Sequence, residues 1–279
     1  TATDMDIAVV EKGPADVSQT GAITVPVHTL FDIVRKLAEG SQVEIGGSGD
    51  EGQLALRSGR SVLKLQTLPC EDFPVMADGD LPFSFSLAAA QVRSLIDRTR
   101  FAISTEETRY YLNGIYLHGT DDNASPMLRA VATDGHRLAR MEVPLPDGAA
   151  GMPGVIVPRK AVVELRKLVD ETSSDVAVEL SETKIRFSVD AVVLTSKLVD
   201  GTFPDYDRVI PVGNDKVMEV DCKPFQHAVD LVSTISTEKS RAIKLSLDNG
   251  TLVLSATSPE AGSATEELEV NYSDGPLEI

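Results

Sequence analysis

The chain has 279 residues, 42% hydrophobic and 25% charged, the balance of a folded globular protein with apolar material for about two ordinary domains. No stretch approaches the roughly 18 consecutive apolar residues of a membrane span, and a formal charge of −17 argues against a uniformly basic surface for nucleic acid. Cys70 and Cys222 belong to no Cys-x-x-Cys pair, which argues against zinc and disulfides and reads as two packing thiols of a reducing compartment, the cytosol.

In chain order, Val25-Pro26 opens an amphipathic helix expected over 27–38. Gly46-Gly47-Ser48-Gly49-Asp50 reads as a loop, and Phe73-Pro74 closes a strand-rich stretch. A second helix is expected over 88–100, with Val92, Leu95, Ile96 and Thr99 on one side. Gly148 to Gly154 reads as a linker. Val157-Pro158 opens a third helix over 158–170, whose Val162, Leu165 and Val169 share a face, and Pro158 suits its first turn. Val176/Val178/Leu180 and Ile185/Phe187/Val189 alternate as strands do. A fourth helix over 223–235 precedes Ile243/Leu245/Leu247, Asp248-Asn249-Gly250 and Leu252/Leu254, a hairpin signal. The expected class is α+β, helices laid against antiparallel sheet.

These elements recur. Ala2-Thr3-Asp4 returns as Ala132-Thr133-Asp134 and again as Ala256-Thr257-Ser258. Val25-Pro26 returns as Val157-Pro158, Phe73-Pro74 as Phe203-Pro204, and Ile103-Ser104-Thr105-Glu106 as Ile235-Ser236-Thr237-Glu238, with Arg109 matching Arg241. Matches in one order at nearly one offset define a unit of about 130 residues. The phase of the repeat leads to the expectation of the back of one unit, a whole second unit and the front of a third, within a longer protein.

The charge is unevenly divided. The four helical spans hold ten Lys and Arg against five Asp and Glu, so the helices sum to +5 and the remainder to −22. Arg93 and Arg100 share a face, as do Arg159 and Arg166, and Lys160 and Lys167. One helix of this kind is an ordinary solvated face. Repeated in every unit, such helices would give one basic side, with acidic strands and loops outside it.

Little in the chain carries catalytic chemistry. His28, His118, His136 and His227 form no metal-ligand spacing, and the Gly46–Gly52 run lacks the Gly-Lys-Ser/Thr of a phosphate loop. Asp134-Gly135-His136 can be imagined as an acid–base pair, yet Asp-Gly is first a turn former. A small-ligand enzyme, or an acidic interaction protein that never touches DNA, are the rival readings, and neither has a positive signal. Tyr110-Tyr111 beside Arg109 can pack along a sugar-phosphate backbone or be ordinary strand residues. No cofactor or metal is expected.

Arg109-Tyr110-Tyr111-Leu112-Asn113-Gly114, Ala132-Thr133-Asp134-Gly135-His136-Arg137-Leu138-Ala139, Val157-Pro158-Arg159-Lys160 and the run from Ser196-Lys197-Leu198 to Phe203-Pro204-Asp205-Tyr206 closely resemble the bacterial DNA polymerase III β subunit family, the sliding clamps. The resemblance runs the whole length. It implies repeated clamp domains, with residues 1–81 the back of the first, 82–213 the second and 214–279 the front of the third. In that family helices line one side, antiparallel sheets lie on the other, and two chains close a homodimeric ring. The implied function is non-catalytic: encircling duplex DNA without sequence preference, and tethering the replicative polymerase, the clamp loader and other proteins with clamp-binding peptides. The implied compartment is the bacterial cytoplasm.

The resemblance also implies sites. A partner-peptide pocket would include Leu112, Thr133, Gly135, His136, Arg137, Leu138, Pro204, Arg208 and Val209. Arg109, Tyr110, Tyr111, Arg159 and Lys160 would face DNA. The dimer interface would pair the strand holding Arg60, Leu63 and Leu65 with Thr234, Ile235, Glu260 and Glu266. Two departures stand out: Ala261-Gly262-Ser263-Ala264 thins the acidic run expected at the interface, and Glu106 and Glu107 sit beside the tyrosines.

Overall fold

The structure, a computed structural model, describes residues 1–47, 52–76, 79–120, 125–236 and 242–279. Ser48-Gly49-Asp50 of the expected loop, and Thr237, Glu238 and Arg241 of the repeat, lie outside the described residues. The chain divides into two compact units, Thr1–Pro204 and Asp205–Ile279.

The first unit opens with β1 (Ala2–Thr3) and β2 (Ile7–Glu11), then α1 (Val27–Val34) and the strands β3 (Glu44–Gly47), β4 (Gln53–Ser58) and β5 (Ser61–Gln66). Its main body follows: β6 (Phe83–Ala88), α2 (Ala89–Asp97), β7 (Gly114–Thr120), β8 (Met127–Thr133), β9 (Leu138–Pro144), β10 (Val155–Pro158), α3 (Arg159–Leu168), β11 (Asp175–Leu180), β12 (Lys184–Val189) and β13 (Val192–Lys197). Three sheets result, with orders β1-β2-β13-β12-β11-β6, β10-β7-β8-β9 and β3-β4-β5, every pairing antiparallel.

Alternation decides the faces. Val176, Val178 and Leu180, and Ile185, Phe187 and Val189, all point into the core. Helix α2 adds Ala89, Val92, Leu95 and Ile96, and α3 adds Ala161, Val162 and Leu165, the stripes their periodicity predicts. Both helices are shorter than expected. Arg98 ends α2, and a separate 3₁₀ turn, Arg100–Ala102, follows after Thr99 turns its hydroxyl back to the Leu95 carbonyl at 2.6 Å.

The helix cations are not all free for phosphate. Arg166 bonds Asp97 at 2.7 Å and Asp170 at 2.6 Å, Arg93 donates to the Val169 carbonyl at 2.6 Å, and Arg100 pairs with Asp97 at 3.3 Å. These contacts cross-link α2 to the end of α3. The Arg166 hydrogen bond, against the opposing effect of burial, holds the Asp97 carboxyl below its ordinary range. A carboxyl depressed in the folded state stabilises above the unfolded pKa, about 4, and the contribution is lost as pH falls through the folded value. Arg166→Ala should therefore cost about 1–2 kcal/mol at neutral pH, with the deficit shrinking below about pH 4. Urea unfolding at the two pH values checks this, and a deficit independent of pH would reassign Arg166 to packing alone.

Around α1 the expectations need correction. The helix ends at Val34 rather than reaching 38, buries no residue, and leaves Phe31 62% exposed. Gly46 and Gly47 are the end of β3, not loop, because they pair with Ala55 and Leu54. Cys70 and Cys222 are both exposed, so neither is a packing thiol: they sit at helix starts, where a small polar side chain meets solvent.

The second unit holds α4 (Cys222–Ser233) and the strands β14 (Lys244–Asp248), β15 (Thr251–Ser258), β16 (Gly262–Glu269) and β17 (Leu277–Glu278), in the order β16-β15-β14-β17. Ala228 and Val232 of α4 pack on Leu247, Leu252, Leu254 and Tyr272. Asn249 (φ 46°) and Gly250 (φ 78°) make the two-residue turn of the β14–β15 hairpin, both positive as a type I′ turn requires.

The repeat is visible bond for bond. The hydroxyl of Thr3 donates to the Ile7 carbonyl and accepts from the Met5 amide, while Asp4 Oδ1 accepts from the amides of Asp6 and Ile7. Thr133 and Asp134 repeat every one of these bonds, with Arg137, Gly135 and His136 as partners. In the second unit Ser258 Oγ accepts from Glu260 and Ala261 in the same way.

Candidate functional site

The Asp134–Arg137 turn joining β8 to β9 is the best-defined candidate. Asp134 is spent on structure: its carboxylate takes two backbone amides and the Arg137 guanidinium at 3.0 Å. Burial raises its pKa, but those bonds outweigh it and hold the carboxyl below its usual range. Asp134 is therefore not a base for His136, and the imagined acid–base pair falls away. Arg137 lies over the Phe101 ring at 5.5 Å, which fixes the outer side of the turn.

Gly135 has φ +89°, and a Cβ there would stand 2.5 Å from Arg109 Nη1. The position needs glycine twice, for its backbone and for its neighbour. Arg109 in turn is held by both oxygens of Glu106, at 2.8 and 2.5 Å, so that pair forms a lid over the turn. The Arg109 hydrogen bond lowers the Glu106 carboxyl and raises the guanidinium.

Of the pocket residues, Leu112 is buried at the end of the 3₁₀ segment Glu107–Leu112, Thr133 and Leu138 are half-buried, and Gly135, His136, Arg137 and Pro204 are exposed. Pro204 is anchored through Phe203, whose ring stacks on Tyr116 at 4.8 Å and 5°, with His118 stacked beyond at 4.7 Å. Arg208 and Val209 belong to the second unit, in its Tyr206–Val209 turn. Val209 is 69% exposed, and Arg208 pairs with Asp205 at 2.7 Å.

Next to the turn a polar cavity of about 300 Å³ gathers Arg100, Phe101, Glu106, His136, Arg137 and Arg159. It brings Arg159, assigned to DNA, beside two residues assigned to the peptide. Tyr110 is exposed and meets half-buried Tyr111 edge to face at 5.8 Å. Both lie in the 3₁₀ segment, not on a strand. Arg159 is exposed at the start of α3, and Lys160 is paired with Asp4.

The residues assigned to the interface divide. Leu63 and Leu65 share one face of β5, an edge strand, where Leu63 is half-buried and Leu65 only 7% exposed. Arg60 is corrected from strand to turn, since β5 begins at Ser61. In the second unit Glu266 lies on the edge strand β16, Glu260 in the turn before it, and Thr234 and Ile235 follow α4. Phe101 and Tyr116 were missed by sequence reasoning. Glu106 was noted only as an acid beside the tyrosines, although its place three residues before Arg109 signals the pair.

A repeated α+β unit, antiparallel sheets carrying a helix pair, and a preformed surface turn without catalytic groups define a clamp-domain protein. Three family models cover nearly the whole chain: DNA polymerase III beta subunit N-terminal domain over residues 1–77, central domain over 86–205 and C-terminal domain over 207–279. The chain belongs to the DNA polymerase III beta subunit family. It is 49% identical to the beta sliding clamp of Caulobacter vibrioides (strain NA1000 / CB15N) over 279 residues, covering 100% of this chain and 75% of the relative. The beta sliding clamp of Escherichia coli K12 is 38% identical over 280 residues, with the same coverage. Among solved structures, a DnaN sliding clamp from Bartonella birtlesii bound to griselimycin matches with TM-score 0.95 and 53% identity, over 100% of this chain and 74% of that one. The DNA polymerase III subunit beta of Pseudomonas aeruginosa matches with TM-score 0.89 and 40% identity, over 99% and 74%.

Proposed function

We propose that this chain encircles duplex DNA as one subunit of a homodimeric ring and tethers its partners through the Asp134–Arg137 turn. As a beta-family sliding clamp the chain is a non-catalytic processivity factor that serves DNA and its polymerase. The observation that carries this is the recurrence of one clamp unit through the chain, its turn repeated bond for bond, matched by all three family models.

Topology replaces affinity in such a device. A ring linked to DNA needs only weak contacts that exchange as it slides. The proposed DNA-facing cations suit that task. Arg109 and Lys160 already hold exposed carboxylates, and exposed pairs of this kind are weak enough to exchange for a phosphate. Tyr110 adds an exposed ring beside them. The acidic remainder of the chain discourages adhesion elsewhere.

Partner docking falls to Leu112, Thr133, Gly135, His136, Arg137, Leu138 and Pro204, with Arg208 and Val209 of the second unit. A short apolar peptide from the polymerase, the clamp loader or another client bound at micromolar strength supplies about −8 kcal/mol, enough to tether yet exchange. Subunit closure is assigned to the edge strands β5 and β16, through Leu63 and Glu266, with Arg60, Thr234, Ile235 and Glu260 flanking. Among the described residues both are the outermost strands of their sheets, the position a sheet-extending contact requires. The bacterial cytoplasm is the proposed compartment. Among the described residues no helix is long and apolar enough to cross a membrane.

The ring predicts a result that no affinity can imitate. Protein loaded on a closed circular duplex should survive a high-salt wash and be lost within minutes once the circle is cut. Equal loss from cut and uncut DNA would refute encirclement.

A further inference from the structure

Beside the docking turn lies the polar cavity of about 300 Å³, and its charges are unevenly served. Two carboxylates line it, and both are spent. Glu106 is held by Arg109 through both oxygens, and Asp134 by the Arg137 guanidinium and the backbone amides of His136 and Arg137. The remaining cations have less. Arg100 has Asp97 at 3.3 Å, a carboxylate that Arg166 takes at 2.7 Å. Arg159 is exposed, and among the described residues its guanidinium has neither an ion pair nor a hydrogen bond. A guanidinium presents a planar fork of donors that matches one carboxylate. Unserved at the wall of a recess, it is a place for an anion.

The walls decide which anion. Phe101 and Ile103 give the cavity an apolar side, against which the methylenes of an acidic side chain can lie. Duplex DNA presents its phosphates along a stiff rod, and a phosphodiester tied to sugars on both sides does not enter a recess that a carboxylate at the end of a side chain reaches. The position decides the source. His136 and Arg137 line the cavity and also belong to the Asp134–Arg137 turn, so a peptide seated on that turn has the cavity within a side chain's reach.

We propose that this cavity takes the carboxylate of a Glu or Asp side chain flanking the apolar anchor of a docked client peptide, with Arg159 as its main partner. The inference rests on reading the Asp134–Arg137 turn as a peptide-docking site, and it adds a selection: clients are chosen for an acidic flank as well as for apolar anchors. Because Arg159 is also assigned to DNA, such a client competes with phosphate for one guanidinium.

The test is an NMR titration of the full chain at low salt with acetyl-Leu-Leu-Phe-Gly-Glu-amide, with acetyl-Glu-Gly-Leu-Leu-Phe-amide, and with each carrying Gln for Glu. Their ends are uncharged, so only the side-chain carboxylate differs within a pair. In one of the two orders the Glu peptide should shift the Arg159 Nε resonance and bind at least about threefold more tightly than its Gln analogue, an advantage that shrinks as salt is added. Arg159→Gln should bring that ratio to one. Arg159→Lys should restore part of it, since lysine keeps the charge without the fork. Melting temperatures within about 2 °C of the original confirm that both variants fold. Glu and Gln peptides that both shift Leu112 and Leu138 and bind alike would overturn the proposal and leave the docking turn standing. No shift at Leu112 or Leu138 with any peptide would remove the turn itself, and the proposal with it. An advantage that survives Arg159→Gln, with only retention on DNA reduced, would return Arg159 to DNA alone and overturn the assignment.

Discussion

Gly114→Ala should unfold the main body of the first unit far more easily than any surface change. Gly114 is buried where β7 pairs with β10, opposite Pro158. A Cβ there would press into the Val157 carbonyl oxygen and stand 2.9 Å from Ile156 Cγ2. The first obstacle is backbone, which cannot rotate aside, so the two strands must part. The same junction carries the Arg159 amide to the Asn113 carbonyl at 2.9 Å, and so orients Leu112 and the start of α3. Overpacking of this kind costs about 3 kcal/mol, or roughly 6–12 °C of melting temperature for a body of this size. Gly13→Ala is the control, because nothing lies within 4 Å of a Cβ there. Calorimetry of both variants decides the matter. A fall below about 2 °C for Gly114→Ala would mean that β7 and β10 separate freely.

Gly135→Ala should act in the opposite sense, leaving the fold nearly intact while damaging partner docking. A residue with a side chain at φ +89° costs about 1–2 kcal/mol, and the new methyl meets Arg109 at 2.5 Å. The methyl must push the Arg109 guanidinium away from Glu106, which holds it with both oxygens. That displacement and the strained backbone together shift the turn, carrying His136, Arg137 and Leu138 with it. Affinity for a polymerase peptide should fall at least tenfold, with a melting temperature only a few degrees lower, since the turn is exposed. Adding Arg109→Ala removes the collision but not the backbone strain, so affinity should recover in part. Fluorescence anisotropy with a labelled peptide measures both. Unchanged affinity in Gly135→Ala would remove this turn from the docking site.

The two glycines show why local and global consequences divide. Gly114 is fenced by main chain inside paired strands, and its replacement is felt by the whole body. Gly135 is fenced by one side chain at the surface, and its replacement is felt by whatever binds there. The Arg109–Glu106 pair also joins the turn to Tyr110 and Tyr111, so residues proposed for DNA and Leu112, proposed for the peptide, share one short segment of 3₁₀ helix.

Much of this was legible from the residues alone. Val162 and Leu165 at helical spacing face inward as their periodicity requires, and Asn249-Gly250 makes the turn its conformational freedom predicts. The threefold Ala-Thr element announced a repeat that the folded chain reproduces in hydrogen bonds. Such signals survive because they depend on neighbours in sequence: period, turn chemistry and internal likeness. Tertiary structure alone decided the rest. That Arg166 spends its charge on Asp97, that Lys160 reaches Asp4, that Leu65 is covered and that Cys70 faces water all depend on which distant segments meet. A count of helix cations cannot see those encounters, because charge is neutralised by proximity in space and sequence records only proximity along the chain.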